Sequence, residues 1–256
     1  MIALVGEVER ERKQLTWYYP ARFGDHATRV RQVDEDNERW HWSDHQWIKK
    51  DVYTDPYPLD EIFTRQSFFS VLKTYGIAGF QHILPLGLDH ILFVVGIFLL
   101  STRMKPLLWQ VTMFTLAHSI TLSLSMLDIF SLPSRVVEPL IALSISYVAM
   151  ENLLHKRLHQ SRLWLVFGFG LLHGLGFATM LSEFGMPRDD FALALISFNI
   201  GIEIGQLAVI AMAFFSVTIW FRKYPQAYRH IIIVPISVAI SLTGLYWFWE
   251  RLEWVV

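Results

Sequence analysis

Apolar and polar residues follow two different patterns along this chain. Up to about residue 75 they alternate over short distances. "ATRVRQV" (27–33), "DEDN" (34–37) and "ERWHW" (38–42) read as strand, acidic turn and strand, with period-two alternation around Trp40 and Trp42. "TDPYPLD" (54–60) carries two prolines and reads as a linker. Residues 62–75 predict an amphipathic helix at a membrane surface, with Phe63, Phe68, Phe69 and Leu72 on its apolar side. From residue 80 the pattern changes to long apolar runs, roughly 80–101, 107–128, 133–154, 162–182, 190–220 and 230–249. Each is long enough for a hydrocarbon core of ~30 Å. The expected fold is an all-α polytopic membrane helix bundle of about six transmembrane helices, preceded by a small β-rich polar segment. The expected boundaries are 1–61 for that segment, read as the end of a larger domain, 62–79 for the interfacial helix, and 80–256 for the transmembrane domain.

Composition agrees with this division. The chain is 53% hydrophobic, and residues 1–75 hold 24 of its 45 charged residues. Net charge is −1 without a basic stripe, which argues against a nucleic-acid partner. The absence of cysteine excludes thiolate chemistry. "MIALVGEVERERKQ" has no basic region before its short apolar run, so it does not read as a signal peptide. If residues 1–75 lie outside the cytoplasm, the natural chain is expected to extend upstream of Met1. The loops carry a charge bias. Arg103 and Lys105, then Lys156, Arg157 and Arg162, then Arg222, Lys223 and Arg229 fall in alternate loops, against a lone Arg135 and a mixed Arg188, Asp189 and Asp190 in the others. The positive-inside rule then places both termini outside the cytoplasm of a bacterial inner membrane, with Trp247, Trp249 and Trp254 in an outer aromatic belt.

Polar residues interrupt the apolar runs: His82, Asp89 and His90 in the first; His118 and Ser119 in the second; Glu138, Ser144, Glu151 and Asn152 in the third; His173 in the fourth; Asn199, Glu203 and Gln206 in the fifth. A carboxylate at mid-membrane costs about 2.5–3.5 kcal/mol on insertion scales, so pairing or a bound cation is expected. On unbroken helices, Asn199, Glu203 and Gln206 share one face, as do His82 and Asp89. The Cα atoms of the last two would stand about 10.5 Å apart. "GLLHG" (170–174) and "GIEIG" (201–205) are small-xxx-small patterns, which predict close packing of the fourth and fifth spans near His173 and Glu203. The simplest arrangement is one outer-half cluster, with Glu151 and Asn152 near the cytoplasmic end. Imidazole with carboxylate suits a divalent metal such as nickel, cobalt or zinc. Each residue also has a plainer reading. A single buried His is commonly a hydrogen-bonded structural group, Ser144, Asn199 and Gln206 serve as interhelical glue, and Glu151-Asn152 as a helix-end pair. His41 and His45 would stand four apart on one face of a strand, and His155 and His159 would lie in a basic loop.

"HILPLGLDHILFVVG", "FTLAHSITL", "VEPLIALSISYVAMEN", "GLLHGLGFA" and "FNIGIEIGQ" resemble, in order, the motifs of the HupE/UreJ family of bacterial membrane proteins. The resemblance covers roughly residues 76–210, and residues 1–75 resemble the end of an extracytoplasmic region found in one branch. It implies a nickel permease-like protein in which His82, Asp89 and His90 form the family's His–Asp-His signature, with roles for Glu138, His173 and Glu203. Six residues separate His82 from Asp89, against five in the short permeases.

Three functions compete on these grounds. The favoured one is a secondary transporter for nickel or a similar divalent metal, in which the outer cluster captures the ion and Glu151 and Asn152 offer an exit. The second is a membrane-embedded zinc hydrolase, with His82, His118 and His173 holding the metal, Asp89 or Glu203 activating water, and Ser119 or Ser144 assisting. The third is an accessory or sensor membrane protein whose polar network sets helix packing. The expected partners are the lipid bilayer and a divalent metal ion.

Overall fold

The computed structural model describes residues 13–18, 26–34, 39–43, 46–48, 51–59, 67–100, 103–127, 129–155, 161–184, 190–221 and 224–253. The chain divides into two units, 1–70 with 180–186, and 71–179 with 187–256. The first holds short antiparallel pairs. β1 (Gln14–Leu15) pairs with β6 (Tyr57–Pro58), β2 (His26–Thr28) with β5 (Gln46–Ile48), and β3 (Arg31–Asp34) with β4 (Arg39–Trp42). The antiparallel pair β3 and β4 supplies the two strands expected from the alternation, and the acidic turn expected between them lies largely outside the described residues. The supposed linker differs from expectation, because β6 lies inside it. Tyr57 is buried and donates to the Thr28 carbonyl at 3.0 Å, while its own oxygen lies 2.9 Å from the Thr28 hydroxyl. A side-chain anchor thus outweighs the two prolines, one of which is tolerated at the end of a two-residue strand.

The second unit is helical: α1 (Phe68–Ile83, entering from the first unit), α2 (Leu88–Leu100), α3 (Met104–Met126), α4 (Ser134–Leu154), α5 (Ser161–Phe184), α6 (Phe191–Ala213), the short α7 (Ile219–Phe221) and α8 (Pro225–Ala227), and α9 (Val234–Glu253). Single π-turns at Phe214–Thr218 and Tyr228–Ile233 extend α6 and precede α9. By length and composition α3, α4, 191–217 and 228–252 can each cross a membrane, the pair α1–α2 makes a fifth candidate, and α5 contributes an apolar helix over 161–177. Ile196, Ile200 and Ile204 stand exposed along one stripe of α6, and Leu116 and Ile120 do the same on α3. Such stripes face lipid in a membrane bundle. This is an all-α membrane bundle.

The first expected span is not one straight helix. α1 and α2 meet at 69°. Pro85 has no N–H to continue the helical ladder, and the Leu84–Pro85 peptide is cis. Gly87 follows, where a Cβ would strike the carbonyl of His82. His82 therefore ends one helix while Asp89 and His90 open the next, and the shared face expected for His82 and Asp89 does not exist.

The two glycine patterns also pack differently from expectation. Gly201 and Gly205 of α6 lie against Gly76 and Ile83 of α1, and Gly79 of α1 lies against the Phe198 carbonyl. Gly170 and Gly174 of α5 lie against Phe114 and His118 of α3. Each pattern fits a different neighbour, because what it specifies is close approach, not a partner. α4 and α9 are joined by a Ser146–Ser241 hydrogen bond of 3.1 Å, beside Gly244, whose Cβ would crowd the Ala142 carbonyl.

Candidate metal centre

These close approaches set the positions of the imidazoles. α6 holds the last turn of α1, which carries His82. α5 holds the middle of α3, which carries His118. The turn at Pro85–Gly87 folds α2 back so that His90, in its first turn, meets both. One ring nitrogen from each of His82, His90 and His118 can be chosen so that all three lie within 4.8 Å of one another. A tetrahedral site with metal–nitrogen bonds of 2.0–2.1 Å needs nitrogen separations of about 3.4 Å. Side-chain rotation of up to about 1.5 Å closes that gap.

His173 of α5 is the fourth imidazole, with its ring centroid 4.9 Å from that of His90. Its Nε2 lies 3.2 Å from the Ser144 hydroxyl of α4, which fixes the ring, while its Nδ1 is buried without a hydrogen-bond partner. His90, His118 and His173 are buried. Nε2 of His82, Nε2 of His90 and both ring nitrogens of His118 likewise lack partners among the described residues. An unmade buried hydrogen bond costs about 1–3 kcal/mol, so this concentration of orphan nitrogens at one point calls for a ligand. Phe114 stacks along His118 at 6.3 Å, and Phe177 lies 3.7 Å from the His82 ring. The walls are thus aromatic.

The other polar residues fall into separate groups. Asp89 is held by Arg251 of α9, whose two terminal nitrogens reach its carboxylate at 3.1–3.3 Å. Arg251 also donates to the Glu138 backbone carbonyl at 3.2 Å and lies 5.4 Å above the Trp247 ring. Arg135, Glu138, Glu250 and Arg251 line a cavity of about 400 Å³. Two polar side chains of α6 face α3: Glu203 accepts from Thr112 at 2.7 Å, and Gln206 accepts from Thr115 at 2.9 Å. Asn199 and Ser119 each donate to a carbonyl of their own helix, Leu195 and Thr115. Glu151 and Asn152 belong to a third group built on Arg162. That residue, counted above as a loop charge, is buried in α5, 3.1 Å from Glu151 and 3.2 Å from the Asn152 side-chain oxygen. Asn152 in turn donates to the Gly96 carbonyl at 2.8 Å. Arg229, also counted as a loop charge, caps the Leu153 carbonyl at 3.1 Å.

The structure therefore brings His82, His90, His118 and His173 together, leaves Asp89 and Glu203 with other partners, and places Glu138 on the wall of the cavity. Sequence reasoning missed Arg251 and the burial of Arg162. A cation two residues before the described end of the last helix gives no signal until α9 is laid beside α2. His41 lies on β4, and His45 and His159 fall outside the described residues.

No curated protein and no solved structure matches this chain. The family model described as HupE / UreJ protein matches residues 59–251, about three quarters of the sequence and the whole helical unit up to the Asp89–Arg251 pair. The five motifs that carry the resemblance lie inside that match, and the chain belongs to the HupE/UreJ family.

Proposed function

We propose that this protein is a secondary transporter of a divalent transition-metal ion, nickel or cobalt, which His82, His90 and His118 bind as cargo with His173 beside them. One observation carries the reading: imidazoles from three helices converge, with their buried nitrogens unpartnered, in an apolar wall. An all-imidazole set suits nickel, cobalt and zinc. Neutral ligands leave the ion its full charge in a low-dielectric setting, which supports release, since conduction needs binding weak enough to reverse. Asp89 and Glu203, the acids a hydrolase would use as its base, engage Arg251 and Thr112, which favours transport over hydrolysis. On this reading both termini lie outside the cytoplasm of a bacterial inner membrane, residues 1–61 form an extracytoplasmic β-rich segment, 62–79 an interfacial stretch, and 80–256 the transporting domain.

The test is uptake of radioactive nickel or cobalt into proteoliposomes by the wild type and by His118→Ala. Outer-shell changes at metal sites already cost 10–100-fold, so loss of a direct ligand should lower uptake by about a hundredfold. Background uptake by a wild type that binds the metal stoichiometrically would refute transport.

A further inference from the structure

The Asp89–Arg251 pair joins the first turn of α2, which carries His90, to the wall of the cavity. Asp89 is the residue before His90. Arg251 covers both of its carboxylate oxygens and also forms part of the wall of the cavity. The pair is only partly buried, at 22% and 25% side-chain exposure. By contrast, Arg162, at the opposite ends of α2 and α4, is 1% exposed. A guanidinium reaching a carboxylate with both terminal nitrogens satisfies it as a metal ion would, because both neutralise the charge and occupy the lone pairs. Two further carboxylates, Glu138 and Glu250, line the cavity beside Arg251 and offer it somewhere to go.

Resting on the transport reading, we propose that Arg251 is a tethered cation that competes with the incoming metal for Asp89 and so gates the approach to the imidazoles. An arriving divalent ion displaces the guanidinium from Asp89 towards Glu138 or Glu250. Asp89 then partners the ion next to His90. When the ion moves on, Arg251 returns and restores the neutral pair. No covalent bond changes, and the single positive charge of Arg251 stays within the cavity wall throughout. The arrangement selects for charge, since a monovalent ion has no advantage over a guanidinium that is already in place.

The experiment measures nickel binding by calorimetry, and initial uptake rate against nickel concentration in proteoliposomes, for wild type, Arg251→Gln, Arg251→Lys, Asp89→Asn and the pair Asp89→Asn/Arg251→Gln. Arg251→Gln is expected to bind nickel about tenfold more tightly, the equivalent of about 1.4 kcal/mol, and to saturate at lower nickel with a reduced maximal rate. Arg251→Lys, which keeps the charge and loses the two-pronged fit, should fall between the two, and it carries the test if Arg251→Gln fails to fold. In the Asp89→Asn background, Arg251→Gln should change nothing further. Arg251→Gln or Arg251→Lys binding no tighter than wild type, in folded protein, overturns the gate while leaving transport standing. A wild type that neither binds nor moves nickel or cobalt overturns the transport reading, and the gate with it.

Discussion

Gly174 and Gly168 lie on the same helix and allow one substitution to be made twice with opposite results. A Cβ at Gly174 would strike the His118 carbonyl and the Thr121 hydroxyl, whereas at Gly168 it would meet nothing within 4 Å. Replacing a mid-helix Gly by Ala is favourable by about 0.5–1 kcal/mol when nothing is in the way. Gly168→Ala should therefore raise stability slightly. Gly174→Ala gains the same amount and incurs an overpacking cost of about 1–3 kcal/mol, because backbone on α3 must move, not merely a side-chain tip. It also disturbs the Thr121 hydroxyl's hydrogen bond to the Leu171 carbonyl at 2.8 Å, worth about 1 kcal/mol. The expected net loss is about 1–3 kcal/mol. The consequence for the site is larger in proportion. Moving α3 from α5 by about 1 Å carries His118 away from nitrogens that already need up to about 1.5 Å of closure. Metal binding should weaken by about tenfold or more, the range seen when the supports of a metal ligand are removed. Thermal unfolding in detergent and calorimetric nickel titration read the two effects separately. If Gly174→Ala matches Gly168→Ala in both, the close packing of α5 on α3 does not position His118.

Two further substitutions probe the groups away from the imidazoles. Arg162→Ala leaves the buried carboxylate of Glu151 without its cation and should destabilise the protein by about 3–5 kcal/mol, read from the same unfolding assay. A loss under about 1 kcal/mol would place the pair in contact with water. Glu203→Gln keeps an acceptor for the Thr112 hydroxyl and lies outside the imidazole group, so nickel affinity should change less than threefold. A loss as deep as that of His118→Ala would put Glu203 at the metal after all.

The sequence was informative about what each residue could do and poor at saying whom it meets. The alternation in β3–β4 rests on local periodicity, which a single chain carries in full, and the five motifs were legible through their resemblance to a family. A proline at position 85, inside the first apolar run, is a local mark of a helix break. Its real effect, a 69° break placing His82 and His90 on separate helices, depends on how Gly87 lets the chain pass the His82 carbonyl. The small-xxx-small patterns were legible as close contacts, yet their partners were misassigned, since glycine marks an approach without coding for the surface approached. Arg162 read as a topological charge because a residue at a helix start normally meets headgroups. Glu151, Asn152 and the Gly96 carbonyl, from two other helices, make its burial tolerable.

By itself, then, the sequence determined a membrane bundle with a β-rich segment, a set of intramembrane imidazoles and carboxylates, and the family to which such motifs belong. The bundle and its polar set follow from composition and spacing along one chain, and the family from the resemblance of its motifs. The tertiary structure decided which of those groups share a point in space. It drew four histidines from α1, α2, α3 and α5 into one apolar wall, gave Asp89 to Arg251, and turned Glu203 towards Thr112. The reason is physical: a polar side chain in a membrane must find a partner. Which partner it finds is set by the packing of helices far apart in sequence, which no local pattern encodes.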